Sequence, residues 1–170
     1  MWKNEEDRLL ALAIAVAFHP DRISSKEDLH IKGTFCKKNS DEMISVCVLG
    51  TGDYIPVKID EGKKINLNGR MVGIDDLLVG IYIEADLEEP IDGRSIIKNI
   101  KADNDKTVFS FSEINKNNIM QLKKLLENTM GVINFKFYGS SLQVLVEYNH
   151  KLVTCQSIEK AISDAGLKLE

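Results

Sequence analysis

The sequence contains few cysteines, prolines and aromatic residues. Its 170 residues include three Cys, three Pro and one Trp, and Phe, Trp and Tyr together account for 6%. Cys36, Cys47 and Cys155 are far apart in the chain. An odd number of cysteines without close spacing excludes the disulfide framework that small secreted domains use. We therefore expect a reducing, cytoplasmic location.

The sequence also lacks an excess of positive charge. It carries 22 Lys and Arg against 26 Asp and Glu, which gives a formal net charge of −4. Non-specific nucleic-acid binding depends largely on basic side chains that neutralise phosphates. Single-strand binding also needs aromatic side chains over a basic groove, and the middle segment offers only Phe35, Tyr54 and Tyr82. We expect no nucleic-acid partner.

Long apolar runs are missing as well. The apolar run at residues 9–18 has ten residues, whereas a membrane-spanning helix needs about 20. Glu5, Glu6 and Asp7 stand where a signal peptide would be positively charged. The segment is therefore interpreted as a helix of the folded protein, with no membrane span.

This N-terminal helix, placed at residues 1–25, is predicted to be apolar on two sides. Asn4 is a suitable N-cap residue, and Pro20 ends the helical pattern. Its large apolar side chains would form two ridges on nearly opposite faces of the helix. Packing against a single surface could bury only one of these ridges. The helix could lie between the chain's own two domains, dock on another copy or a protein partner, or face lipid. The predicted partner-binding residues of this helix are Leu9, Leu10, Leu12, Ile14, Val16 and Phe18.

The N-terminal segment also carries a short resemblance. The stretch from Glu5 to Ala11 is similar to an acidic, then alanine-rich, segment in small subunits of sodium-pumping decarboxylases. The resemblance implies an accessory subunit of a membrane decarboxylase-type complex. We keep this as a further alternative.

Residues 29–102 are predicted to form a small all-β barrel. Short stretches rich in branched residues alternate with polar turns, and Asn68-Gly69 is typical of a two-residue hairpin turn. Several short strands in one segment favour a closed, OB-like barrel. Residues 64–83 resemble a small bacterial β-barrel family of unknown function, through Asn68-Gly69, Asp76-Leu77 and Val79-Gly80. That resemblance implies a fold and no chemistry.

Residues 106–170 are predicted to form a βαββαβ, ferredoxin-like domain. A helical stripe of Ile119, Leu122, Leu126 and Met130 is followed by Gly131, and two alternating strands follow from there. A second helix is predicted after Thr154, and residues 167–169 are predicted to be the closing strand. The strand residues expected on the outer sheet face include Tyr138 and Leu145, which we predict as further partner-binding residues.

This C-terminal region resembles the heavy-metal-associated domain family. In that family, two cysteines in the loop after the first strand bind a soft metal. Counting back from Gly131 places the equivalent positions at Asn115 and Asn118, so the Cys-x-x-Cys ligands are absent. The motifs that carry the resemblance are Gly131-Val132, Val144-x-Val146-Glu147-Tyr148 and the run from Ile158 to Gly166.

Other candidate ligands and catalytic residues are sparse. Cys155 lies at the expected start of a helix, where a thiol pKa can be lowered. Cys36 and Cys47 are expected on neighbouring strands, either as core thiols or as a paired site. His19, His30 and His150 show no metal-binding spacing, and the common catalytic motifs are absent.

The sequence therefore predicts an α+β protein with an N-terminal helix, a small OB-like all-β barrel and a C-terminal ferredoxin-like βαββαβ domain. We expect no enzymatic activity and no cofactor. The predicted function is an interaction or assembly protein built on a degenerate metal-carrier-like domain, with a protein partner or self-association through the N-terminal helix. The alternative is a metal-handling accessory protein with unconventional ligands, Cys155 with a histidine or with another subunit.

Overall fold

The structure, a computed structural model, describes residues 29–60, 62–91 and 94–170. Strands predominate in this part of the chain, and they form two sheets. The strands are β1 (Leu29–Ser40), β2 (Met43–Val48), β3 (Tyr54–Lys58), β4 (Ile65–Leu67), β5 (Arg70–Val72), β6 (Tyr82–Ile91), β7 (Arg94–Asp103), β8 (Lys106–Ser110), β9 (Val132–Tyr138) and β10 (Gln143–Tyr148). The α-helices are α1 (Lys116–Asn128) and α2 (Cys155–Asp164).

The first sheet closes into a five-stranded barrel. Its strands follow the order β3-β2-β1-β6-β7, and a parallel contact between Lys58 of β3 and Ile96 of β7 completes the circle. The short hairpin of β4 and β5 extends the sheet along β7. Closure leaves the barrel strands without an open hydrogen-bonding edge.

The barrel core follows from the two-residue period of its strands. On β1, Ile31 and Phe35 face inward, whereas Lys32 is exposed. The same alternation buries Ile44 and Val46 of β2 completely. The remaining core is aliphatic, and it includes Ile55, Val57, Ile65, Ile83, Ala85, Leu87, Ile97 and Ile100.

The second sheet has three strands in the order β8-β10-β9, and both helices cover one of its faces. Leu122 and Leu126 of α1 and Ile158 and Ile162 of α2 are buried. They pack with inward-facing residues of the sheet, among which are Phe109, Phe111, Val144, Val146, Phe135 and Phe137. A second hydrophobic core, separate from the barrel core, therefore holds this C-terminal unit together.

Several sequence predictions are confirmed. The barrel is present, and the Asn68-Gly69 turn has positive φ at both residues (47° and 88°). The helix predicted from Ile119, Leu122 and Leu126 is α1. Met130, in contrast, lies beyond the end of α1 and is 80% exposed, so its place in the buried stripe was wrong.

The predicted α+β fold class is wrong, because the described residues are mostly strand and contain only two short α-helices. The barrel strands β1, β6 and β7 reach 12, 10 and 10 residues. Shifts in register let these longer strands bend around the barrel. The expected closing strand at residues 167–169 is a single bridge from Leu169 to Phe111, so the fourth strand of a ferredoxin-like sheet does not form.

The predicted N-terminal helix at residues 1–25 lies outside the described residues. Within the described ranges, neither helix combines the length and apolar character that crossing a bilayer requires.

Candidate functional site

The loop at Asn115–Asn118, where the family resemblance would place metal ligands, caps helix α1. Asn115 Oδ1 accepts a hydrogen bond from the backbone N of Asn118 at 3.0 Å, and Asn118 Oδ1 accepts one from the backbone N of Asn115 at 3.2 Å. This reciprocal pattern is a capping box, which satisfies two donors at the helix start. Carboxamides are also poor ligands for soft metals. The residues at Asn115 and Asn118 therefore do not fit the metal that the family resemblance implies.

Replacing the cap residue should destabilise the C-terminal unit modestly. The Asn115→Ala variant loses the side-chain acceptor for the backbone N of Asn118, and loss of such a cap costs about 1 kcal/mol. Chemical denaturation followed by circular dichroism measures the change in the free energy of unfolding. Asn117→Ala on the same exposed turn is the matched control and should change it by less than about 0.5 kcal/mol. Equal effects of the two variants would contradict the capping role.

Cys155 lies in a partly buried chain of hydrogen bonds at the start of α2. Its thiol donates to Thr107 Oγ1 at 3.3 Å, and the Thr107 hydroxyl donates to the carbonyl of Gly80 at 2.7 Å. Burial raises the pKa of Cys155, which is opposite to the lowering expected at a helix N-terminus. Gly80, at φ +92°, brings its backbone so close that an added Cβ would lie 3.0 Å from Cys155 Sγ. Cys155 therefore packs the C-terminal unit against the barrel.

The described histidines pair with carboxylates in separate places. His30 Nδ1 lies 2.7 Å from Asp86 on the barrel, and His150 Nδ1 lies 2.7 Å from Asp105 at the start of the C-terminal unit. Across residues 29–60, 62–91 and 94–170, no group of three or more His, Cys, Asp or Glu side chains is placed to hold a metal ion. His19 lies outside these ranges.

Cys36 and Cys47 lie on neighbouring strands of the barrel, β1 and β2. Cys47 on β2 pairs with Thr34 on β1 and with Tyr54 on β3. Their neighbours Phe35, Val46 and Ile55 point into the barrel core, so Cys47 points outward. It is nevertheless only 5% exposed, because the C-terminal unit covers it. Cys36 is half-buried beside it.

Hydrogen-bond donors surround the sulfur of Cys47. Gln143 Nε2 lies 3.6 Å from Cys47 Sγ, and Ser110 Oγ lies 3.7 Å from it. The neighbouring Cys36 thiol is the main influence, and it lowers the pKa of Cys47 from 9.0 to about 7 even though burial acts in the opposite direction. The same interaction, together with burial, raises the pKa of Cys36. The pair therefore favours a thiolate at Cys47 over one at Cys36.

Gln143 joins the two units at this site. Its Oε1 accepts from the backbone N of Gly50 at 2.8 Å, and its Nε2 donates to the carbonyl of Val48 at 3.2 Å and to Ser110 Oγ at 3.3 Å. The side chain is 2% exposed. Sequence alternation places Gln143 on the outer sheet face, and the structure shows that this part of the face lies against the barrel.

A shallow cleft of about 330 Å³ lies on another side of the barrel. Its charged groups already have partners: Lys106 is 3.6 Å from both Asp103 and Glu147, and it lies 5.8 Å above the ring of Tyr82. Asn68 donates to Asp103 at 3.0 Å. The cleft therefore presents a polar surface whose hydrogen-bonding groups are largely satisfied internally.

The predicted partner-binding residues divide into two groups. Leu9, Leu10, Leu12, Ile14, Val16 and Phe18 lie outside the described residues. Tyr138 and Leu145 are half-buried on the outer sheet face. Leu145 pairs with Val108, which is 8% exposed, and Lys136 Nζ lies 5.2 Å above the Tyr138 ring.

Sequence reasoning missed an exposed apolar cluster, which consists of Met130, Ile133 and Leu152. These side chains are 80%, 71% and 62% exposed. Met130 and Ile133 flank the turn at Gly131, where an added Cβ would lie 3.1 Å from Leu152 Cβ. Ile133 begins the exposed part of β9, the edge strand of its sheet. The sequence did not indicate this cluster, because Met130 follows Leu126 at helical spacing and was therefore assigned to the apolar stripe of α1.

No family model, curated protein or solved structure matches this chain. The resemblances to the heavy-metal-associated domain family and to the small bacterial barrel family thus stay predictions. The pairing of Cys36 with Cys47 had a signal in the sequence, since both fall on predicted neighbouring strands. The contribution of Gln143 to this site had no signal in the sequence, because it depends on how the two units pack.

Proposed function

We propose that this protein is a non-enzymatic, cytoplasmic interaction or assembly protein, whose C-terminal unit is a degenerate metal-carrier-like domain. The capping box of Asn115 and Asn118 supports this proposal most strongly. Each side chain at the former ligand positions makes a hydrogen bond that holds the start of α1. The loop thus contributes to the packing of the unit, and it offers no thiolate for metal transfer.

The N-terminal segment is the proposed main contact with a partner or a second copy. The sequence predicts two apolar ridges there, one formed by Leu9, Leu12 and Val16 and the other by Leu10, Ile14 and Phe18. If only one face were covered, the other would leave large side chains in water. Burying each such side chain is worth about 1.5–3 kcal/mol. The exposed apolar cluster around Gly131 gives the protein a further surface of the same character.

Deletion of residues 1–20 should abolish association. We expect the full chain to run as an oligomer, or to retain a protein partner in an affinity pull-down, and the deletion variant to run as a monomer without that partner. The physical reason is the loss of both apolar ridges. Size-exclusion chromatography with mass measurement, combined with mass spectrometry of the pull-down, reads out the result.

Two triple substitutions test whether association depends on the apolar side chains of the segment or only on the presence of the segment. Changing Leu9, Leu12 and Val16 to Ser should reproduce the deletion, whereas changing Glu5, Glu6 and Asp7 to Ser should leave association intact. The proposal fails if the full chain is monomeric and the deletion changes neither solubility nor partner recovery. Recovery of a biotin-containing complex would instead favour the decarboxylase-subunit alternative.

The metal-handling alternative gains no support at Cys155. The thiol of Cys155 is engaged with Thr107, and its pKa is raised. The neighbours of this sulfur, Thr107 and Gly80, also supply no second soft-metal ligand.

A further inference from the structure

The two barrel cysteines are brought together by an irregularity in β1. Phe35 pairs with Val46 and Lys37 pairs with Ser45, so Cys36 is an extra residue without an opposing partner. Such a bulge bends the strand and redirects a side chain. Here the Cys36 thiol donates to the carbonyl of Thr34 at 3.3 Å. Thr34 lies directly opposite Cys47, on the surface that the C-terminal unit covers.

Both cysteines of the pair are free thiols. Cys47 lies directly opposite Thr34, and Cys36 follows Thr34 by two residues on the same strand. An ion held between two sulfurs does not require the fixed backbone geometry that a disulfide needs.

An unsatisfied hydroxyl lies on the same surface. Thr34 is 6% exposed, and its Oγ1 is buried without a hydrogen-bond partner among the described residues. Its side chain shares the outer barrel face with Cys47, its direct cross-strand neighbour. Buried hydroxyls normally have a partner, and one without a partner calls for a missing group. This hydroxyl is therefore a spare donor beside the Cys47 side chain, available to a metal-bound sulfur.

The groups around Cys47 indicate which kind of metal ion the site would bind. Thiolates favour soft metals such as Cu(I), and the other neighbours of Cys47 are the hydroxyls of Ser110 and Tyr54 and the amide of Gln143. These groups can donate hydrogen bonds to a thiolate but are weak metal ligands. Two thiolates with no further strong ligand suit an ion that accepts two-coordinate geometry. The half-buried Cys36 gives such an ion access from solvent.

We propose that Cys36 and Cys47 form a two-thiolate binding site for a soft monovalent cation of the Cu(I) class. On binding, each thiol releases its proton to solvent and its sulfur donates an electron pair to the ion; no oxidation of the cysteines is involved. The site is independent of the protein interaction proposed above, since it uses neither the N-terminal segment nor the Asn115–Asn118 loop.

Titration of the full, reduced chain with Cu(I) under anaerobic conditions tests the site. Native mass spectrometry should show one bound ion per chain, and competition with a Cu(I)-specific chelator should give its affinity. Cys36→Ser and Cys47→Ser should each weaken binding by more than about 100-fold, beyond what loss of an outer-shell partner costs. Cys155→Ser, which removes the remaining cysteine, should bind as the unchanged chain does.

A second variant tests whether Thr34 affects ion binding independently of any effect on folding. Thr34→Val removes a buried hydroxyl that has no partner, so the ion-free protein should be at least as stable as the unchanged chain. Its affinity for Cu(I) should nevertheless fall by about tenfold. The site is overturned if the full chain binds no Cu(I) above trace, or if Cys155→Ser weakens binding as much as Cys36→Ser does.

Discussion

Gly33→Ala is expected to destabilise the barrel by about 3 kcal/mol or more. A Cβ at position 33 would lie 2.1 Å from the backbone oxygen of Cys47 and 2.9 Å from its carbonyl carbon. Gly33 is paired on both sides, with Val48 of β2 and with Ile83 of β6. The clash is with backbone, so rotation of a side chain cannot relieve it. Relief would require β1 and β2 to separate at a buried point of the barrel.

Chemical denaturation measures this loss, and Gly139→Ala is the matched control. At Gly139 an added Cβ meets nothing within 4 Å, so the free energy of unfolding should change by less than about 0.5 kcal/mol. Should Gly33→Ala fail to accumulate as folded protein, limited proteolysis of the expressed chain still distinguishes it from the control. A Gly33→Ala variant as stable as Gly139→Ala would show that β1 and β2 do not approach this closely.

Gly33 also illustrates what the sequence could not reveal. The alternation of Ile31, Lys32 and Phe35 is visible in the sequence and predicts which side chains enter the core. The close approach of β1 to β2 depends on the bending of two strands around a barrel, and no local pattern carries that information. The sequence therefore identified the barrel without identifying its tightest contact.

The C-terminal unit was predicted well at the level of single elements and wrongly as a fold. Leu122 and Leu126 recur at helical spacing, and both are completely or almost completely buried in α1. The closing strand failed because residues 167–169 make only one bridge, from Leu169 to Phe111. A three-residue segment has too few backbone hydrogen bonds to establish a strand by pattern alone.

At the candidate site, too, the sequence indicated which strands are neighbours but not which distant residues pack against them. Neighbouring predicted strands were enough to suggest that Cys36 and Cys47 could pair. The environment of Cys47 comes from Ser110 and Gln143, about 60 and 100 residues further along the chain. Only the packing of the C-terminal unit on the barrel brings these donors to the sulfur.

Gln143→Ala is expected to destabilise the protein by about 2–3 kcal/mol and to loosen the contact between the two units. The variant leaves the backbone N of Gly50 without the acceptor that it reaches at 2.8 Å. It also removes the donor shared by Val48, Ser110 and Cys47 at a side chain that is 2% exposed. Chemical denaturation gives the free-energy change, and the rate at which a thiol reagent modifies Cys47 reports the loosening.

Two further variants distinguish hydrogen bonding from loss of volume. Gln156→Ala replaces an exposed glutamine of α2 and should change stability by less than about 0.5 kcal/mol. Gln143→Met keeps most of the side-chain volume but supplies no amide, so it should lose about as much stability as Gln143→Ala and expose Cys47 to the reagent in the same way. If Gln143→Met instead matches the unchanged chain in both measurements, Gln143 fills space between the units without joining them by hydrogen bonds.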